Sequence, residues 1–257
     1  MITDFKGFSP VHLLTLLASV SVGLIFILLG VRAKTKRQRR ILGILFAVVI
    51  VLCRGGRYVM DACNGVFEWY DLFSLHLCHI DLILLCVCLI KPLKPLFHFC
   101  FLIGIPAGLA VALFPGSNHP APGLPRAILF IMSHVLLVMG ALYLLFVEKM
   151  KPALRAFFWI AGAGNAALIA VFFINKVLET NFLYINKAPA GTIIASLESI
   201  FGWPGYVIVI DLLALTMMLG MLLSGKLLYR ARFGDEKAFK NSASSETGKE
   251  SKIENEN

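Results

Sequence analysis

Seven long apolar runs separated by short polar breaks organise this chain. They fall at roughly 10–31, 41–60, 72–90, 95–114, 126–147, 153–176 and 205–228. As helices rising about 1.5 Å per residue, each can cross a hydrocarbon core of about 30 Å. The stretch from Lys91 to Pro95 is a tight turn between the third and fourth runs. The pattern predicts an all-α, polytopic membrane protein: one seven-helix membrane domain over 1–233 and a tail over 234–257. The tail is Ser, Glu, Lys and Asn with few apolar groups. It cannot bury enough apolar surface to fold, so a disordered cytoplasmic tail is expected. No internal repeat is evident.

The polar breaks carry an orientation. Arg32, Lys34, Lys36, Arg37, Arg39 and Arg40 follow the first run, Lys91 and Lys94 the third, and Lys149, Lys151 and Arg155 the fifth. Seven more basic residues follow the middle of the last run. A seven-span chain places all of these on one side, against Lys6, Arg126, Lys176 and Lys187 on the other. The positive-inside rule then puts the N-terminus outside and the C-terminus in the cytoplasm. On the outer side two loops are long enough to cover a site. Phe114–Arg126 is rich in Pro and Gly; Val177–Pro204 holds Asn181, Phe182, Tyr184 and the Trp203-Pro204 pair.

Composition removes several function classes. The chain is 58% apolar and 15% charged, with a mean hydropathy of +0.82, which excludes a large soluble domain. Its net charge of +9 sits where anionic headgroups would meet it, so it does not indicate nucleic-acid binding. The six cysteines, Cys53, Cys63, Cys78, Cys86, Cys88 and Cys100, lie in or beside the apolar runs without zinc-site spacing. They build neither a disulfide framework nor a thiol metal site. The first run has no basic region before it and a strongly basic one after it, the reverse of a cleavable signal peptide.

Ionisable groups inside the runs cost roughly 2.5–3.5 kcal/mol each on insertion scales and usually face the bundle interior. Here they share one depth. Counted from Asp61, Arg57 and Arg54 lie roughly 6 and 10 Å inside. Counted from Asp71, His76, Cys78, His79 and Asp81 span roughly 7 to 15 Å. Ser133 and His134 of the fifth run, Asn175 of the sixth and Asp211 of the seventh join the same outer slab, while the inner halves carry almost no charge. Polar groups from five helices at one depth suggest one cavity open to the outside or to the outer leaflet.

Each group also has a structural reading. Arg54 and Arg57 can pair with Asp61 or Asp81, or clamp a phosphate or carboxylate. His134 can be a hydrogen-bonded core residue, and Asp211 a residue of the rim. Cys53, Cys86, Cys88 and Cys100 read as packing groups. On a regular helix His76 and His79 lie about 60° apart on one face, and Cys78 and Asp81 share another. A base for Cys78 is therefore expected from another helix, His134 first. His76, His79, Asp81 and His134 are metal-capable. However, the seven-helix zinc hydrolases of the adiponectin-receptor type take a histidine pair from their last helix, and none exists here. No metal or other cofactor is expected.

The runs LHLCHID, SHVLLV, NFLYINKAP and GWPGY occur in this order. Together they resemble the YwaF family of bacterial integral membrane proteins, from about Arg54 to Leu228. That family is distantly similar to a vertebrate transmembrane acyltransferase that remodels ether phospholipids without acyl-CoA and uses a cysteine. The resemblance implies Cys78 as acyl acceptor, with His134 or His76 as base. The expected function is an acyltransferase or transacylase on phospholipid or lysophospholipid, in the inner membrane of a bacterium. Arg54 and Arg57 would hold the phosphate, and His79, Asp81, Asn175, Asn181 and Tyr184 would bind substrate. Membrane lipids are the expected partners. The alternative is a small-solute or anion transporter with an outward-facing Arg/His/Asp site. Oligomeric state is left open.

Overall fold

Lipid chains are as apolar as leucine, so helices in a bilayer associate through close approach of small residues and through polar contacts. The first helix is built on that rule. The computed structural model describes residues 7–67, 75–114 and 123–254, with side chains as far as Gly234. In α1 (Pro10–Arg32) the buried positions are His12, Thr15, Ser19, Gly23, Ile27 and Gly30, recurring every three or four residues. Leu13, Leu14, Leu17, Leu24 and Leu28 are exposed. The small and polar stripe faces α6 (Leu124–Phe146), and the leucines face outward. A Cβ at Gly30 would lie 2.7 Å from Val147, so the glycine is what lets these helices meet. His12 locks the outer end: its Nδ1 accepts from the Phe8 N–H at 2.9 Å and its Nε2 donates to the Ala112 carbonyl at 2.7 Å.

The second crossing, α2 (Lys36–Cys63), opens on a reciprocal cap in which Thr35 and Gln38 satisfy each other's backbone N–H groups. That cap draws the basic residues Lys36 to Arg40 into the helix, ahead of the apolar run at 41. α2 packs on α6 and on α3 (Leu77–Ile90). The fourth crossing is interrupted. It comprises α4 (Lys94–Phe99), a π-helical turn over Cys100–Gly104, and α5 (Ile105–Leu113). Pro106 has no N–H to offer Leu102, and the wider turn just before it absorbs that loss. At the centre is α6, buried almost continuously from Ser133 to Leu145. α7 (Leu154–Leu178) and α8 (Ile193–Glu254) are far less buried and expose Phe158, Trp159, Ile169, Phe173, Ile208 and Leu212. α8 breaks at Gly202 (φ 62°, ψ −177°), a conformation open essentially to glycine alone. The crossing proper begins there, at the start of the seventh apolar run.

Among the described residues six helices are long and apolar enough to cross a membrane, with Leu77–Ile90 a shorter apolar one. The all-helical, polytopic reading therefore holds, and the third crossing is the one corrected. The apolar pattern spans 72–90, but the helix starts at Leu77 and has 14 residues, about 21 Å at ~1.5 Å per residue. His76 caps this helix instead of lying within it. The preceding segment, 68–74, lies outside the described residues, as do most of the outer loop after Phe114 and the side chains of the tail.

The close contacts make a testable distinction between glycines. A Cβ at Gly43 would run into the backbone carbonyl of Leu89, which cannot step aside, whereas nothing lies near Gly162. Gly43→Val is expected to destabilise the bundle by about 1–3 kcal/mol, the usual cost of overpacking. Gly162→Val should leave thermal unfolding of the detergent-solubilised protein unchanged. Equal unfolding midpoints for the two variants would refute the α2–α3 contact.

Candidate functional site

α3 begins inside the membrane, and its first turn collects the polar groups. His76, the capping residue, has extended backbone (φ −63°, ψ 135°). Its carbonyl accepts from the N–H groups of His79 (2.9 Å) and Ile80 (3.3 Å). Cys78 is the second residue of the helix. His79 lies one position on, its ring centroid 6.2 Å from that of His76. Two residues further, Asp81 is fully buried. It lies against Gly104 of the π-helical turn, where any side chain would collide with its carboxylate. Neither carboxylate oxygen has a hydrogen-bond partner among the described residues. Cys100, from the same turn, donates to the Asp81 backbone carbonyl at 3.8 Å.

α2 supplies the cations. Arg54 and Arg57 are both buried. Arg54 donates from Nε to the Tyr58 hydroxyl at 3.0 Å and stacks on that ring at 4.8 Å. One of its terminal nitrogens is buried without a hydrogen-bond partner among the described residues. Arg57 donates to Asp61 at 3.2 Å and lies 5.4 Å over the Phe130 ring of α6. Asp61 is fully buried and also receives Arg126 from the first turn of α6. The two arginines thus have different settings: Arg57 belongs to an Arg57–Asp61–Arg126 array that ties α2 to α6, whereas Arg54 keeps donor capacity. Sequence reasoning offered Asp61 as a partner for Arg57, which is the pair found, and placed Arg126 at the start of the fifth run. Nothing local signals that Arg126 joins them.

α6 supplies His134. Its Nδ1 lies 2.7 Å from the Phe130 carbonyl. A carbonyl only accepts, so Nδ1 carries the proton and Nε2 holds the lone pair in the neutral ring. His76 has the opposite tautomer, because its Nδ1 accepts from the Leu183 N–H at 3.4 Å. His79 stands within electrostatic range of Arg54, Arg57, His76 and His134. Cys78 stands within that range of Arg54, Asp81 and Tyr184. Groups from α2, α3, α6 and the outer loop therefore do converge. Across α3 and α6, His79 lies within electrostatic range of His134.

The outer loop crosses this cluster as a strap. Asn175 of α7 fixes it. The amide nitrogen donates to the Phe182 carbonyl (2.9 Å) and the Asn186 side chain (2.8 Å). The amide oxygen accepts from the Thr180 hydroxyl (3.0 Å) and the Phe182 N–H (2.8 Å). Asn181 bridges to the backbone of Asn186 and Lys187. Both asparagines, expected to touch substrate, hold the loop in shape. From α8, Trp203 donates to the Ile185 carbonyl (3.1 Å) and Tyr206 to the Tyr184 carbonyl (2.7 Å). Phe182 and Tyr184 then pack on the His76 ring, at 5.8 and 4.9 Å between centroids. Asp211 is partly exposed further along α8.

Among the described residues no three of His, Cys, Asp and Glu stand close enough to hold a metal ion. The arrangement offers an N-terminal helix dipole and a buried cation around a thiol, with two histidines of opposite tautomer nearby. The dipole and the cation both favour negative charge at that point.

No curated protein and no solved structure matches the chain. The match is to a family model, over residues 7–222, a stretch that takes in the strap, the cluster and the crossings except the last turns of the final one. The chain belongs to the TMEM164 family of membrane proteins.

Proposed function

We propose that this protein is a transacylase of the cell membrane that moves an acyl chain between a phospholipid and a lysophospholipid without acyl-CoA. One observation supports the reading most: Cys78, in the first turn of α3, lies within electrostatic range of Arg54, and α6, which carries His134, packs against α3. The likeness of LHLCHID and SHVLLV to the YwaF family, and through it to a cysteine-dependent acyltransferase, supports it. In the reaction the Cys78 thiol gives its proton to His134 Nε2, and the sulfur attacks the ester carbonyl of the donor lipid. The ester C–O bond breaks, and the lysophospholipid oxygen leaves with the proton. The acceptor hydroxyl then attacks the thioester, the C–S bond breaks, and the thiol is restored. Arg54 is the phosphate-holding cation, since Arg57 is engaged with Asp61.

A transport reading draws on a different observation, the Asp81 carboxylate buried without a hydrogen-bond partner among the described residues. Such groups mark ion and proton pathways in other membrane proteins.

In nanodiscs with a labelled phospholipid and a lysophospholipid acceptor, wild type should transfer the acyl chain without acyl-CoA. Cys78→Ala should abolish transfer, and His134→Ala should slow it by about 10²–10⁴-fold, the usual contribution of a general base. Full activity in Cys78→Ala would remove the thioester. A folded wild type inactive across several headgroups would favour transport and send the work to uptake assays.

Arg54→Gln should raise KM for the phospholipid with a smaller change in kcat. The expected loss is about 1.5–3 kcal/mol, as for a hydrogen bond to a charged group. An unchanged KM would take the phosphate away from Arg54.

A further inference from the structure

A polar cleft lies at the opposite, basic face. The ends of two helices meet the side of a third there: Gly30 and Val31 of α1, Phe146 and Val147 at the end of α6, and Arg232 and Phe233 of α8. Together with Arg39 and Lys149 they line a cleft of about 200 Å³. The cations come from three separate parts of the chain, and two of them face one aromatic ring. Lys149 Nζ lies 5.2 Å and the Arg232 guanidinium 5.7 Å from the centre of Phe233, itself buried. The backbone beneath them is held firmly, because the fully buried Tyr143 donates its hydroxyl to the Arg39 carbonyl at 2.8 Å. Among the residues whose side chains are described, the acidic group within electrostatic range of Arg39 is Glu148, half-buried, whose carboxyl is pushed up by burial and drawn back by Arg39. Among those residues, three cations against one carboxyl leave the cleft positive.

Its position decides what that charge meets. The cleft sits at the ends of membrane-crossing helices, on the face that the positive-inside rule assigns to the cytoplasm. Basic pockets between helices at that level suit anionic headgroups. Of its apolar wall, Val31 is exposed on the outer surface of α1, beside which an acyl chain would lie. We infer that this cleft is a binding site for an anionic phospholipid of the inner leaflet, with the phosphate held by Arg39, Lys149 and Arg232. The site is separate from the Cys78 cluster and does not depend on the proposed transfer reaction.

The test uses the full chain purified in detergent and titrated with phosphatidylglycerol. Native mass spectrometry reads retained lipid, and thermal unfolding reads protection. Phosphatidylcholine and soluble glycerol 3-phosphate serve as comparison arms. Wild type should retain phosphatidylglycerol over phosphatidylcholine. The triple variant Arg39→Gln, Lys149→Gln, Arg232→Gln should bind on the order of a hundredfold more weakly, roughly fivefold for each cation lost. The triple variant Lys34→Gln, Lys36→Gln, Arg37→Gln removes equal charge from exposed positions outside the cleft and should bind as wild type does. Glu148→Gln should bind more tightly, and it keeps the test decisive should the first triple variant fail to fold. Undiminished binding by the cleft variant overturns the site, as does equal loss in the control variant or unchanged binding in Glu148→Gln. Equal protection by glycerol 3-phosphate overturns the assignment to lipid.

Discussion

Close backbone approach to α6 is the constraint from which the rest of this structure follows. Surrounded by lipid, the helices gain little from apolar contact as such. Gly23 and Gly30 of α1, Gly108 of α5 and Gly140 of α6 itself are where neighbours come near enough for dispersion to accumulate. The buried Arg57–Asp61–Arg126 array adds a polar tie at the outer end. Removing Asp61 would leave two largely buried arginines uncompensated, which in buried settings costs far more than the pair contributes. With α1, α2, α3 and α5 gathered round α6, its one histidine is placed beside the start of α3.

The shortness of α3 turns this scaffold into a site. A full-length third helix would carry its polar residues along one side of a regular cylinder. Starting at Leu77, it instead points a helix N-terminus into the interior, where such dipoles are least screened. Arg54 adds a charge of the same sign. The strap from Thr180 to Ala188 completes the enclosure from the outside, its shape fixed by Asn175 and Asn181.

Fold and site differ in how far they could be read from the chain. Apolar runs and basic breaks are local signals averaged over about twenty residues, so the crossings and their alternation were readable. The third crossing was overextended because Leu72, Phe73 and Leu75 continue the apolar pattern while His76 takes extended backbone. That is a choice of geometry, not of hydropathy. The depth of Arg54, Arg57, His79 and His134 was legible because rise per residue is fixed, and depth alone brought them together. What depth could not resolve is partnership. Arg57 and Arg126 share Asp61 across 65 residues of chain, and no periodicity carries that. Asn175 and Asn181 also drew attention as polar groups at the right level, yet their amides match the hydrogen-bonding needs of a loop, and only coordinates reveal such a match.

The strap has one further property. Its anchors, Asn175, Trp203 and Tyr206, belong to α7 and α8, the two crossings that the rest of the bundle grips least. Over their most apolar stretches those helices are 11% buried, against 72% for α6. The cover over His76 is therefore mounted on the part of the molecule with the most lipid-facing surface, while the cluster beneath it is mounted on the most closely packed part. A change that loosens α7 or α8 reaches the cover before it reaches the cluster.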